Sequence, residues 1–315
     1  MEKKTQSLTG RLFWIVLAVV IATAIVRIYY RATDDFRLNN IVYDLSYHQE
    51  WEIQPLSSAE ETHLNAILNQ KFSYIGKGAQ CYAFASDDQQ YVIKFFKFKH
   101  LKPSIFTDLL PSIPPFQHYK ERQVRKKERK LNSIFAGYKL AYEKDKTESG
   151  LIFIHLNPTD TVHKTIIVRD KIGLERVIDL DQVVFIVQEK AQTLRNVLAD
   201  LLDKGDLTAA KSRIGQIFDL YLSEYQKGVY DRDHGVMHNT GFVGDRPIHL
   251  DVGKLSQDDN IRNPETAQKD FALVIDRMET WLRSSYPEDF PVLHEYIVQK
   301  QKDFFAKAYS LKDAP

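Results

Sequence analysis

The sequence predicts an α+β fold behind one membrane-length helix, on three observations. Leu12–Val26, LFWIVLAVVIATAIV, carries no charge, and apolar character resumes past Arg27 with Ile28, Tyr29 and Tyr30. From Phe72 to Gln188, short β-branched and aromatic runs are separated by glycine, proline and aspartate turns, the signature of strands. From Leu194 onward the apolar residues recur at helical spacing. Strands first and helices later, with one early helix among the strands, is the α+β order.

At about 1.5 Å per residue, residues 12–30 cross a hydrocarbon core roughly 30 Å thick. Arg11 and Arg27 can snorkel to the two interfaces, and Trp14, Tyr29 and Tyr30 suit headgroup depth. Residues 1–11 form a tail, cytoplasmic or external. A cleaved signal peptide competes with this reading, with Lys3, Lys4 and Arg11 as basic region and Ala22-Thr23-Ala24 as cleavage site. Ile25 and Val26 prolong the apolar run past that site and favour a retained single-pass anchor. Basic residues flank both ends, so the positive-inside rule is nearly tied.

Residues 31–56 read as a polar juxtamembrane linker. Ser58-Ala59-Glu60-Glu61 fits a capping box with Ser58 as N-cap, opening a helix through Leu64, Ile67 and Leu68. Residues 57–190 form the sheet-rich front lobe. Phe72–Ala85 reads as strand, glycine turn and strand, and Tyr91–Phe96 as a third strand. Pro103, Pro111, Pro114 and Pro115 break up the next segment, and Gln117–Tyr142 is a helix with Val124, Leu131, Phe135 and Tyr138 on one side. Leu151–Leu156, Thr165–Arg169 and Val183–Gln188 are further strands. Residues 191–315 form the helical rear lobe, with helices at Leu194–Leu202, Leu207–Lys227 and most of Glu265–Leu311. Gly241–Val243 and Ile248–Leu250 make a short strand pair.

Composition excludes several functions. The 315 residues are 43% hydrophobic and 27% charged with net charge +1, so nothing global draws the chain to nucleic acid. The basic run Lys120–Lys130 lacks interleaved aromatic residues; it reads as a solvated helix face or a contact for anionic lipid. Cys81 is the single cysteine, which rules out an intrachain disulfide and a cysteine-rich metal site.

Chemistry concentrates at three places. Gly76-Lys77-Gly78 lets a hairpin bring amides close to an anion. Lys94 sits inside an apolar strand, where its ammonium needs a partner. Tyr230–Leu255 crowds Asp231, Asp233, His234, His238, Asn239, His249 and Asp251 among valines and glycines, and Asn239 and Asp251 offer oxygen ligands for a divalent cation. His234 and His238, four apart, also admit a zinc-dependent hydrolase with Asp251 as third ligand, although Gly235, Thr240 and Gly241 argue for a loop there.

Taken in order, Gly76-x-Gly78, Val-Ile-Lys94, a glutamate-bearing helix, an aspartate before Asn239, and Asp251-Val252-Gly253 resemble the protein-kinase-like superfamily over residues 70–255. The resemblance implies a two-lobed kinase-like fold that uses ATP and Mg²⁺. Gly76 and Gly78 would cover the phosphates, Lys94 would contact them, and Asn239 and Asp251 would hold metal. Asp233 would accept the acceptor's proton, or Asp231 if the segment takes the lipid-kinase form. Glu128, or else Glu121, would pair with Lys94; either could instead make a surface pair along its helix. Cys81 stands where a third loop glycine is expected, and the Asp233–Asn239 spacing is one residue long. Only 64 residues follow Asp251, and no Ala-Pro-Glu motif appears beyond Asn263-Pro264-Glu265. That is similar to small-molecule and lipopolysaccharide kinases and favours a non-protein acceptor. The irregular spacing also admits a catalytically silent nucleotide-binding scaffold. Dependence on ATP implies that the soluble part is cytoplasmic.

Overall fold

The computed structural model describes residues 8–43, 45–101, 109–111, 113–160 and 162–310, so Lys3, Lys4, Pro103 and Leu311 lie outside the described residues. Helix α1 runs from Leu8 to Ala32, and its Gly10–Ala32 stretch is apolar, unburied and long enough to cross a membrane, a length and composition that a signal sequence would share. Helix α2 spans Ser58–Leu68. Its capping box lies one residue earlier than the sequence suggests. Ser57 is the N-cap, Glu60 accepts from the Ser57 amide at 3.0 Å, and the Ser57 hydroxyl accepts from the Glu60 amide. Tandem serines followed by tandem glutamates satisfy the motif in two registers. The one adopted turns Leu64, Ile67 and Leu68 into the core.

Next comes a seven-stranded sheet. It contains β1 Phe72–Lys77, β2 Cys81–Ser86, β3 Tyr91–Phe96, β4 Leu151–His155, β5 Thr165–Arg169, β6 Glu175–Asp179 and β7 Phe185–Glu189, in the order β4-β7-β3-β2-β1-β5-β6. Only the β1–β5 pairing is parallel. Central β3 buries Val92, Ile93, Phe95 and Phe96, because both sheet faces are covered. One face packs Phe72, Phe84, Phe95 and Phe185 against α2. The other packs Phe96, Ile154 and Ile186 against helix α3, Phe116–Lys144, through Leu131, Ile134, Phe135 and Tyr138.

Residues 33–43 and 45–56 are folded onto this sheet rather than left as a polar connector. Phe36 and Ile41 join the α2 face, with Phe36 edge-on to Tyr82 and Phe84. Leu45 and Trp51 join the α3 face, Trp51 meeting Phe135 edge-on at 4.8 Å. His48 and Asn157 exchange two hydrogen bonds of 3.0 and 2.8 Å. The anchors are irregularly spaced, which is why no periodicity marks them.

Beyond the sheet come the short strand β8, Gln192–Thr193, and helices α4, Leu194–Leu202, and α5, Leu207–Gln226. Strand β9 spans Val229–Asp231, helical turn α6 Val236–Asn239, β10 Thr240–Val243, β11 Arg246–His249 and β12 Leu255–Gln257. Helices α7, Pro264–Ser285, and α8, Phe290–Ser310, complete a helical core around Phe218, Tyr221, Phe271 and Met278.

Candidate functional site

Strands β1 and β2 form the glycine hairpin. The Gly78 amide donates to the Cys81 carbonyl at 3.0 Å, and Lys97 Nζ donates to the Gly78 carbonyl at 2.6 Å. A Cβ at Gly76 or Gly78 would meet nothing within 4 Å, and neither residue has a positive φ. These glycines leave open space above the hairpin rather than relieving a clash within it. Cys81 is buried, and burial raises its thiol to about 12, so it is inert packing at physiological pH.

Lys94 crosses beneath the hairpin. Its Nζ donates to the Leu250 carbonyl at 2.8 Å, a contact between residues 156 apart in the chain. Burial lowers its pKa, and the neighbouring Asp251 carboxylate opposes that shift. Glu128 does not stand at the ammonium. It is exposed on α3 and lines a hollow with Tyr43, Leu101 and Leu131. Glu121 makes the helix-surface pair instead, with Arg125 at 3.5 Å. Among the described residues no carboxylate lies within 4.0 Å of Lys94 Nζ.

Two close approaches hold the Asp251 segment in place. A Cβ at Gly137 of α3 would fall 2.6 Å from the Val252 carbonyl oxygen, and one at Gly253 would fall 2.8 Å from Oε1 of Gln80 in the hairpin turn. Asn239 is joined to the segment directly, its carbonyl accepting from the Leu250 amide at 2.5 Å and the Asp251 amide at 3.4 Å. Gln80 Oε1 is itself buried without a hydrogen-bond partner. Asn239 and Asp251 thus each carry a side-chain oxygen at one hydrogen-bonded backbone junction.

The extra residue between Asp233 and Asn239 is absorbed at His234, whose φ is +53°, followed by Gly235 and the single turn α6, in place of the expected loop. That turn returns Asn239 Nδ2 to Asp231 at 3.3 Å and Asp233 at 3.4 Å. The two aspartates differ sharply in access. Asp231 is 1% exposed, whereas the Asp233 side chain is 40% exposed and pairs with Lys254 Nζ at 2.9 Å.

Asp231 belongs to a buried chain that local sequence pattern does not reveal. His249 donates through Nδ1 to Glu224 at 2.8 Å and through Nε2 to Asp231 at 3.4 Å. Burial disfavours the imidazolium, but the Glu224 and Asp231 carboxylates prevail and hold its pKa well above the ordinary value. Burial likewise acts to raise Asp231, and the His249 bond more than offsets it, keeping that carboxyl below its usual range. The one signal in the sequence is Glu224 itself, placed three residues after Tyr221 on the apolar stripe of α5.

The two histidines of the zinc alternative part company. His234 Nε2 bonds Asp270 at 2.7 Å, and His238 faces Arg195 at 3.4 Å. Among the described residues no group of three or more His, Cys, Asp or Glu side chains is arranged to hold a metal.

No protein-family model matches the chain, and no curated protein sequence matches it. Among solved structures it is similar to WbdD, described as a bifunctional kinase-methyltransferase, at 14% identity and a TM-score of 0.33 over 71% of this chain. WbdD bound to the kinase inhibitor LY294002 gives 15% identity over 73% with the same score. The chain spans less than half of WbdD, 45% in the inhibitor complex. A ternary complex of streptomycin, ATP and APH(2")-IIa aligns over 81% of this chain and 97% of its own, at 10% identity and a TM-score of 0.25. The overlap is loose at such scores. In this α+β fold the glycine hairpin, the lysine strand, the long helix and the two aspartate loops follow one another in that order.

Proposed function

We propose that the protein is an ATP- and Mg²⁺-dependent phosphotransferase, anchored to a membrane by residues 12–30, with its folded part on the cytoplasmic side. The observation that carries this is the Lys94–Leu250 hydrogen bond, which sets a strand ammonium beside Asp251 under an open glycine hairpin. Asn239 and Asp251 would hold Mg²⁺, which neutralises phosphate charge when bound. Gly76 and Gly78 would give backbone access to phosphate oxygens, and Lys94 would hold them from below. Asp233 is the base candidate because it is accessible; buried Asp231 orients the loop through Asn239 and the Asp233 amide, which donates to it at 2.9 Å.

A non-protein acceptor is supported by the chain after Asp251. Asn263-Pro264-Glu265, the echo of a peptide-docking motif, is the capped start of α7, with Asn263 as N-cap and Pro264 in the first turn. Only β12 and one 3₁₀ turn intervene.

The test is thermal stabilisation of the full chain in detergent by Mg-ATP. Wild type should be stabilised, and Lys94→Ala and Asp251→Ala much less so; equal responses in all three would refute the site. The Asp233–Lys254 pair favours a second reading, a nucleotide-binding scaffold without transfer. Binding with no γ-phosphate release or transfer, in wild type and Lys254→Ala alike, would establish that reading.

A further inference from the structure

Where α1 ends, the chain builds a cavity that no part of the phosphotransferase reading uses. It encloses about 350 Å³ and is lined by Tyr29, Tyr30, Arg37, Asn40 and Arg176. Arg37 lies with its guanidinium carbon 4.1 Å from the Tyr29 ring centre and 4.2 Å from that of Tyr30. Its Nη1 donates to Thr33 Oγ1 and the Phe36 carbonyl, while its Nη2 is buried with no hydrogen-bond partner. Arg176 of β6 donates to the Tyr29 hydroxyl at 2.9 Å.

Of the nearby carboxylates, two are committed to lysines and the third, buried Asp170, pairs with Arg176 of the cavity wall, which leaves Arg37 as the uncompensated cation. Asp34 meets Lys171 at 3.0 Å and Lys77 at 3.5 Å, Asp35 meets Lys99 at 2.6 Å, and Asp170 lies 3.5 Å from Arg176. Among the described residues Arg37 pairs with no carboxylate. A half-buried guanidinium donor left unpaired is costly, and a phosphate oxygen is its natural acceptor. Just past α1, Lys77 and Lys171 both meet Asp34, and their chain neighbours Ile75, Ile172 and Leu174 are exposed. Apolar tips interleaved with lysines at the mouth of a spanning helix suit the headgroup layer.

We infer that this cavity binds the phosphate of an anionic phospholipid, with Arg37 and Arg176 on the phosphate and the β5–β6 turn resting on the bilayer. The inference rests on the membrane-anchor reading and is independent of the kinase chemistry. It would hold the glycine hairpin, through Lys77 and Asp34, at a fixed height over the membrane.

The test titrates the full chain in detergent micelles with short-chain phosphatidylglycerol, short-chain phosphatidylcholine and inorganic phosphate. Phosphatidylglycerol should bind, and the other two at least about tenfold more weakly. Arg37→Gln and Arg176→Gln should each weaken phosphatidylglycerol binding about five- to tenfold, the loss of one cationic contact. Arg176→Lys should recover part of that loss, and Arg125→Gln on α3 should change nothing. Equal binding of the two lipids, unchanged binding in the arginine variants, or equal binding of free phosphate would overturn the inference. Failure of the anchor is read separately, as purified chain that has lost its first 24 residues and needs no detergent; the cavity starts at Tyr29 and remains titratable in that form.

Discussion

Removing residues 1–32 and removing residues 1–55 should have very different consequences, although both leave every element from α2 onward intact. The first deletion takes away a helix whose apolar stretch is unburied, so it costs the fold little beyond the Arg37–tyrosine stack and the Arg176–Tyr29 hydrogen bond. The second also removes Phe36, Ile41 and Trp51, which are 3%, 0% and 4% exposed. Burying side chains of that size contributes roughly 1.5–3 kcal/mol each, or about 4.5–9 kcal/mol for the three as an upper bound. Loss of the His48–Asn157 pair adds about 1 kcal/mol per bond. The total rivals the roughly 5–15 kcal/mol that holds a whole domain together. Residues 33–315 should therefore melt cooperatively in urea as a soluble protein. Residues 56–315 should aggregate, or bind a hydrophobic dye with no cooperative transition. If the shorter chain melted within a few degrees of the longer one, the wrap would be an ornament and the core assignment of Phe36 and Trp51 would be wrong. Trp51→Ala in the longer chain gives an independent reading, with an expected loss of about 3–5 kcal/mol.

Gly137→Ala should destabilise, by about 1–3 kcal/mol, although alanine is worth about 1 kcal/mol more than glycine within a helix, because the new methyl sits 2.6 Å from the Val252 carbonyl; a raised melting temperature would contradict that contact. Gly76→Ala and Gly78→Ala should leave stability within about 0.5 kcal/mol and yet weaken Mg-ATP binding, so variants that bind normally would detach the hairpin from the phosphates. Burial first, and then the Glu224 charge, raise Asp145 to about 7 against the opposing pull of Lys227. The folded state therefore holds that proton more tightly than the unfolded chain, whose aspartate titrates near 3.9, and this group's contribution must fall as pH rises from about 4 to 7. Urea melts of Asp145→Asn at pH 5 and 7.5 should show a flatter dependence than wild type; an identical slope would refute the assignment.

Local patterning made much of the fold legible. Strands β3 and β5 and helix α4 have the bounds their β-branched runs and helical stripes suggest, and α3 extends the expected helix by a residue or two at each end. Edge strand β6 escapes such patterning because ERVID buries only Ile178 and shows no strong alternation. The wrap of residues 36–51 escapes it for a different reason. Its anchors reach opposite faces of the sheet, so their spacing tracks the path of the chain around an edge and matches no secondary-structure period. Glycine at 137 is equally opaque, since its need is set by a backbone more than a hundred residues away.

At the site, legibility divides along burial. Lys94, Asn239 and Asp251 could be singled out as polar groups among apolar neighbours, but a sequence does not say which of several crowded acids faces water. The structure separates them by charge compensation. A buried Asp231 needs a cation, and His249 can serve only if a second carboxylate, Glu224, stabilises its charge from the other side. Removing one member of such a chain leaves an uncompensated buried charge, a loss of about 3–5 kcal/mol, so the three residues lock β9, β11 and α5 together. Asp233, two residues along, is thereby fixed relative to Asp251 while remaining open to solvent. The polar crowding at Tyr230–Leu255 thus comprises a closed part around Asp231 and His249 that sets geometry and a solvent-facing part around Asp233, which Lys254 pairs. Glu224→Gln, which keeps the shape and removes the charge, should loosen the first and disturb the second only through it.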